Sequence, residues 1–289
     1  MNILLTGAEG FTGRYFCEIA RSAGHDVSLL EANILDRRAL QIEISAIHVD
    51  AVVHLAAISF IGHADSNAFY STNVIGTMNL LDALLELRPL PNCVLLASSA
   101  NVYGNAQASP INEVEPPAPV NHYAMSKLAM EHMSRTYMDR LPIVIARPFN
   151  YTGHGQSGNF LIPKLVNHFA QRSQAIKLGN LHIEREFNDV RMICTAYMEL
   201  LRHGVPGDIY NICSGQPYAL THVIELLSLL TDHQIDAQVD PALVRANEVL
   251  RLCGDDSKLR ALLKKQGTDL LNPPLDETLQ TMLSNINRV

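Results

Sequence analysis

The chain has no apolar run approaching the ~20 residues that a membrane helix requires. Its opening, Met1-Asn-Ile-Leu-Leu-Thr-Gly7, lacks a basic segment ahead of a long apolar one. That opening reads as a first strand ending in a turn, not as a secretion signal, so the expected location is the cytoplasm. Cysteine is sparse: Cys17, Cys93, Cys194, Cys213 and Cys253 are scattered, odd in number and share no metal-ligand spacing. Buried, reduced thiols are expected. The 12 histidines are dispersed, and no His-x-x-x-His pair lies beside a carboxylate, so no metal is expected. There is no Lys/Arg run, and 22 basic against 29 acidic residues leave a net charge of −7. This balance argues against nucleic acid or an anionic membrane as partner. There is no internal repeat and no low-complexity tract.

What is present is a globular composition, 47% hydrophobic and 18% charged over 289 residues, enough for one large domain or two coupled ones. Strand signals at Asn2–Leu5, Val27–Leu30, Ala51–Leu55, Cys93–Ala97 and Ile143–Ala146 alternate with helix signals at Gly13–Ala23, Arg37–Ile47, Asn67–Leu87 and Tyr123–Arg140. Short apolar strands alternating with helices predict βαβ units and an α/β, Rossmann-type, doubly wound parallel sheet. After Pro148 the rhythm breaks. Helices are expected at Phe160–Arg172, Met192–His203 and Leu220–Thr231, with polar loops at Gly204–Gly207 and Asp232–Asn247. Residues 1–150 are therefore read as a dinucleotide-binding domain. Residues 151–289 are read mainly as a smaller C-terminal substrate lobe over the carboxyl ends of the sheet, with some segments returning to the first domain. The proline-rich stretch Glu113–Pro119 is read as a rigid surface loop.

Gly7-Ala-Glu-Gly-Phe-Thr-Gly13 follows a strand and opens a helix. Glycines at this point allow a tight turn and a close approach of backbone to a pyrophosphate, which helix N-terminal amides then hold. An acidic residue at the end of the second strand commonly binds an NAD ribose, and Glu31 lies near that point. Arg14 would favour NADP instead, while Arg37 and Arg38 fit a solvated helix face. NADP(H) and NAD(H) both remain open.

Tyr123 and Lys127 are four residues apart in His122-Tyr-Ala-Met-Ser-Lys127, a spacing that puts both on one helix face. A phenol titrates at ~10, so acid–base work at neutral pH needs a shift of ~3 units, about 4 kcal/mol. A neighbouring ammonium, together with an oxidised nicotinamide, has the sign required. The fourth strand runs into Ser98-Ser99-Ala-Asn-Val-Tyr-Gly104, at the carboxyl end where doubly wound sheets meet their ligands. A serine there can hydrogen-bond a substrate oxygen.

Taken in order, Thr6–Gly13, His54-Leu-Ala-Ala57, Asn73–Leu81, Ser98–Gly104, Tyr123–Lys127 and Arg147-Pro-Phe-Asn150 resemble the extended short-chain dehydrogenases/reductases of the nucleotide-sugar type. The resemblance implies Ser99, Tyr123 and Lys127 as a catalytic triad. For the cofactor it implies Gly7, Gly10, Phe11, Thr12 and Gly13 at the phosphates, and Asn33 and Ile34 at the adenine. Leu55, Ala56, Ala57, Asn73, Tyr123, Lys127 and Pro148 complete that set. Pro148–Gln156, Gly179–Arg191, Tyr210–Gly215 and Val244–Val249 resemble one branch, the GDP-4-keto-6-deoxymannose reductases. That similarity implies substrate contacts from Ser99, Asn150, Asn180, Arg185, Arg245 and Glu248. Planar, bidentate arginines suit a diphosphate.

The chain departs from the branch at His122, Ala246 and Met192, and it has no tryptophan. These changes touch the substrate side. Ala100 and Asn101 stand where a 4,6-dehydratase carries its acid/base pair. No cysteine lies between Cys93 and Cys194, which argues against a 3,5-epimerase/reductase with a cysteine close to its active serine. The implied reaction is NAD(P)H-dependent reduction of a 4-keto-6-deoxy sugar nucleotide, with a 4-epimerase as the alternative. The Asn67–Leu87 and Tyr123–Arg140 helices carry apolar outer faces, and the resemblance implies a homodimer joined through them as a four-helix bundle.

Overall fold

The computed structural model describes residues 1–244 and 249–286. In chain order the first elements are β1 (Asn2–Thr6), α1 (Phe11–Ser22), β2 (Asp26–Leu29), α2 (Arg37–Ser45) and β3 (Ala51–His54). There follow α3 (Ser66–Tyr70), a π-helical turn (Ser71–Gly76) and α4 (Thr77–Leu84). Then come β4 (Cys93–Ala97), a 3-10 turn (Ala100–Tyr103), α5 (His122–Ser134) and β5 (Ile143–Pro148). Beyond these lie β6 (Tyr151–Thr152), α6 (Leu161–Ala170), β7 (Ala175–Leu178), β8 (Glu184–Arg185), β9 (Asn188–Asp189), α7 (Val190–His203) and β10 (Ile209–Ile212). The chain continues through β11 (Tyr218–Ala219), α8 (Leu220–Thr231), β12 (Asp236–Val239), β13 (Arg251–Leu252), α9 (Ser257–Lys265) and α10 (Leu275–Ser284).

Six strands form one parallel sheet in the order β10-β5-β4-β3-β1-β2. Successive side chains of a strand point to opposite faces. Thus Ile3 and Leu5 enter the core beneath α1, α7 and α9, while Leu4 enters the core beneath α2, α4 and α5. Strands apolar on both faces are what a sheet covered on both sides requires. The order of connection reverses between β1 and β3, so a crevice opens above their carboxyl ends. A separate apolar cluster joins α6, β7, α8 and α10 through Leu165, Phe169, Val223 and Leu279.

Several elements differ from the sequence expectation. The expected Asn67–Leu87 helix is interrupted by the π-helical turn and ends at Leu84. That turn carries Asn73, whose Oδ1 accepts from the Ile58 amide at 2.9 Å and whose Nδ2 donates to Ser126 Oγ at 2.9 Å. The helix is thereby tied to the loop after β3. The Tyr123–Arg140 helix ends at Ser134 and tightens into a 3-10 turn over Arg135–Tyr137. The expected loop after Thr231 contains β12, paired in parallel with β7. Ile235, Ala237 and Val239 alternate with Asp236, Gln238 and Asp240, but the stretch is short and set among polar residues, and with its side chains largely outside the core the backbone ladder holds it. β10, α7 and α9, all beyond residue 150, belong to the six-stranded layer. All five cysteines are free thiols, four of them buried. Among the described residues no helix is long and apolar enough to cross a membrane.

Candidate active site

The chain leaves β1 through Gly7 at φ +71°, a conformation that glycine adopts without steric cost. A Cβ on Gly7 would lie 2.6 Å from the Ala56 backbone nitrogen, and one on Gly13 2.2 Å from the Gly7 carbonyl oxygen. Only glycine permits this approach of three backbone segments. Gly10 caps α1 with extended backbone and no side-chain hydrogen bond. The amides of the first helical turn therefore have no side-chain acceptor from the cap, the arrangement that receives a phosphate. Phe11 stacks on Tyr151 with ring centroids 6.2 Å apart, and Thr12 Oγ1 lies 2.8 Å from the Tyr151 hydroxyl. These contacts fasten the turn to β6.

A buried histidine supports the turn from below. His54 Nε2 and Thr77 Oγ1 are 2.8 Å apart, and Thr77 donates its own proton to the Asn73 carbonyl. Nε2 must then carry the proton, so Nδ1 accepts from Thr6 Oγ1 at 2.7 Å, and Thr6 accepts the Ala56 amide. Burial, with the Lys127 charge second, pushes the His54 pKa down to about 3. The imidazole is a neutral strut linking β1, β3 and α4.

The other wall comes from β4, α5 and β5. Asn121 caps α5 by accepting the Ala124 amide at 2.8 Å. The cap starts the helix so that Tyr123, Lys127 and Glu131 form one stripe facing β4 and β5. Tyr123 is 8% and Lys127 4% exposed. Lys127 Nζ donates to the Ala97 carbonyl at 2.7 Å. Burial lowers its pKa to about 8, and the Glu131 carboxylate one turn on opposes that fall. Glu131 takes Arg147 in a bidentate pair at 2.9 and 2.6 Å and also accepts Ser98 Oγ at 2.5 Å. Arg147 in turn covers the Tyr103 ring, 4.8 Å from its centroid.

Ser99 donates to the phenolic oxygen of Tyr123, which lowers the phenol pKa, but burial is the larger effect and the net shift is upward. The expected downward pull of Lys127 is not what governs this phenol. The ammonium is directed to the Ala97 carbonyl, and desolvation penalises the phenolate. Tyr123 is therefore protonated at neutral pH.

These walls enclose a cleft of about 680 Å³. Gly7, Gly10, Phe11, Thr12, Gly13, Leu55, Ala57 and Pro148 line its dinucleotide side. Ser99, Tyr123 and Lys127 line the middle, while Asn150, Asn180 and Arg185 line the side nearer the C-terminal segments. Asn150 lines the cleft, and its Oδ1 is buried without a hydrogen-bond partner. Arg185 donates to the carbonyls of Glu184 and Val249. Among the described residues, Lys127 and Arg185 are the charged side chains in the lining. The described part of the lining is thus cationic in a chain of net charge −7, which suits an anionic dinucleotide and an anionic substrate.

Four expected cofactor residues are not in the lining. Asn33 is exposed and Ile34 is buried in the core below. Ala56 backs the glycine turn, and Asn73 acts on the Ile58 loop. Arg245 and Glu248 lie outside the described residues. Sequence reasoning missed Phe60 and Phe160, which meet edge to face across the cleft at 5.9 Å. It also gave no binding role to Asn101, Asn121 and Tyr151, which line the cleft too. Only the cap pattern at Asn121 was a readable signal.

The family model described as GDP-mannose 4,6 dehydratase matches residues 20–267. The chain belongs to this family of extended short-chain dehydrogenases/reductases. It is 33% identical over 291 residues to a GDP-6-deoxy-D-talose 4-dehydrogenase of Aggregatibacter actinomycetemcomitans, covering 99% of this chain and 98% of that one. It is 32% identical over 277 residues to the GDP-6-deoxy-D-mannose reductase of Pseudomonas aeruginosa, covering 89% of each. The solved structure of RMD from Pseudomonas aeruginosa, complexed with NADPH, superposes with a TM-score of 0.90 at 30% identity, covering 100% of this chain and 99% of that one. A Burkholderia cenocepacia J2315 structure provisionally described as an epimerase superposes at 0.92 with 43% identity, covering 100% and 98%. Members of the family use nicotinamide cofactors, and the glycine turn and cationic lining of this chain fit one.

Proposed function

We propose that this protein uses NAD(P)H to reduce the C4 keto group of a nucleotide-linked 4-keto-6-deoxy sugar, with GDP-4-keto-6-deoxy-D-mannose as substrate. The observation that carries this reading is a buried, protonated Tyr123, hydrogen-bonded by Ser99, in the same cleft as the Gly7–Gly13 turn. A reductase needs an acid at the carbonyl oxygen, and a phenol whose pKa burial has raised is in its acid form.

Gly7, Gly10, Phe11, Thr12 and Gly13 hold the pyrophosphate in this reading, and Leu55, Ala57 and Pro148 flank the rest of the dinucleotide. Asn33, Ile34, Ala56 and Asn73 shape its surroundings. The bound nicotinamide supplies the hydride. Tyr123 gives its proton to the C4 oxygen as negative charge gathers there. Ser99 donates a hydrogen bond to the same oxygen, and Lys127 places its ammonium beside the ribose hydroxyls. Donors fixed in advance stabilise charge that exists only in the transition state. Asn150 and Asn180 are polar contacts for the sugar nucleotide and Arg185 for its diphosphate, with Arg245 and Glu248 assigned to the same task. Dehydration lacks its acid–base pair, because Ala100 is a buried methyl and Asn101 an amide.

Support for the GDP-deoxysugar class comes from the names of the two relatives above. The test is to supply GDP-4-keto-6-deoxymannose with NADPH or NADH and follow nicotinamide absorbance, with UDP- and dTDP-linked keto sugars as controls. Oxidation of the cofactor is expected, slowed roughly 10²–10⁴-fold in Tyr123→Phe. No oxidation with any of these sugars refutes the reading. The 43% identity to a structure described as an epimerase favours a second reading, a 4-epimerase. Tightly retained NAD and turnover without added reductant would establish it. The reading also includes a homodimer formed through the segment from α3 to α4 and through α5, where Ile75 of the π-helical turn and Met125 of α5 are 45% and 44% exposed. Sedimentation at twice the chain mass tests it.

A further inference from the structure

Ser99 and Ser98 are adjacent, yet their hydroxyls are committed in different ways. Ser98 Oγ donates to Glu131 beneath the cleft, so its proton is not free for a ligand. Ser99 caps the 3-10 turn Ala100–Tyr103 and accepts from the Asn101 backbone amide at 3.2 Å. It accepts again from Asn101 Nδ2 at 3.0 Å. A serine hydroxyl has one proton and two lone pairs. One residue, Asn101, engages both lone pairs of Ser99, and only the proton remains.

We propose that Asn101 is a positioning residue that makes Ser99 an obligate hydrogen-bond donor in the cleft. Ser99 then cannot accept from Tyr123, and the phenolic proton is left pointing at the bound carbonyl oxygen instead of into a Ser99–Tyr123 bond. This deepens the ketoreductase reading and rests on it only for the identity of that oxygen. The choice of amide matters. A carboxylate at position 101 would itself accept from Ser99, which would consume the proton that the carbonyl oxygen needs. An amide donates from Nδ2 and leaves that proton for the Tyr123 oxygen and, with substrate bound, for the carbonyl oxygen. The same reasoning explains why Asn101 lines the cleft beside Ser99 without being able to move a proton itself.

The proposal predicts a change in Tyr123 that does not depend on any substrate. Full-length protein is labelled with ¹³Cζ-tyrosine, and the Tyr123 signal is assigned by its loss in Tyr123→Phe. In Asn101→Ala, one Ser99 lone pair is released and the phenol can donate to it. The phenolate loses part of its hydrogen bond from Ser99, and the Tyr123 titration moves up by about half a unit to one unit. In a Ser99→Ala background, Asn101→Ala moves it no further. An absent shift in the first case, or an undiminished one in the second, overturns the proposal. Asn101→Asp is isosteric and serves if Asn101→Ala does not fold. Its titration shift should be at least halved when Ser99 is also replaced, and a shift of undiminished size counts against the proposal. With the keto sugar, Asn101→Asp should lower kcat roughly tenfold or more, with KM within about twofold. A fall expressed in KM alone also overturns it. If the wild-type protein turns over none of the sugars, the reductase reading fails, and the titration still decides the role of Asn101.

Discussion

Lys127→Met replaces a buried ammonium by an uncharged chain of similar length. Folding moves the Lys127 pKa from its ordinary 10.5 down to about 8, chiefly by burial. The sign follows from proton uptake: between these values the unfolded chain binds a proton that the native protein does not, so stability rises with pH. Below about pH 8 the native state carries the full cost of a buried charge, and above about 10.5 it carries none. From pH 7 to pH 10 the wild type should therefore gain about 2–3 kcal/mol that the variant does not. The lost hydrogen bond to Ala97 is worth about 1 kcal/mol, but it is nearly independent of pH and cancels from the slope. The assay is urea unfolding of both proteins at each pH, with the difference in free energy plotted against pH. Other titrating groups, including the buried tyrosines and cysteines, are common to both and drop out. Parallel profiles, or a wild type that loses ground as pH rises, would refute the claim that Lys127 is held charged at a cost. The variant should also lose turnover, since the proposed ribose contact and the positive field go with the ammonium.

Three further outcomes can be checked. Glu131→Ala strands Arg147 without its carboxylate deep beneath the cleft, so denaturation should report a loss of about 3–5 kcal/mol. Gly13→Ala drives a methyl to within 2.2 Å of a carbonyl oxygen. About 1–3 kcal/mol of stability should be lost, and NADPH affinity measured by fluorescence titration should fall. His54 stays neutral because its pKa is pushed down to about 3. The unfolded chain takes up a proton near 6.5, so stability is lost as pH falls. Relative to His54→Asn, the wild type should lose about 2 kcal/mol between pH 7 and pH 5, and a flat difference would exclude this.

Much of the site was legible because its residues recur at short, chemically meaningful intervals. The Gly7–Gly13 turn, the Tyr123–Lys127 spacing and the Ser-Ser at the end of β4 each report local geometry. A helix and a strand terminus need only their own residues to be recognised. β12 was harder to read, since its alternation spans only Ile235–Val239 among polar residues and the ladder to β7, not a buried apolar face, holds it. The facing of Phe60 on Phe160 was equally hidden, because one follows β3 and the other begins α6.

The order of the motifs by itself determined the parallel α/β class, the dinucleotide turn and the phenol–ammonium pair, because these follow from backbone periodicity and glycine placement. Burial and partner choice were decided only in three dimensions. The ammonium turned to the Ala97 carbonyl, the phenol stayed protonated, Glu131 joined Ser98 to Arg147, and Asn101 took both lone pairs of Ser99. Desolvation and hydrogen-bond accounting depend on which atoms surround a group. Those neighbours come from β4, α5 and β5, brought together only when the sheet closes.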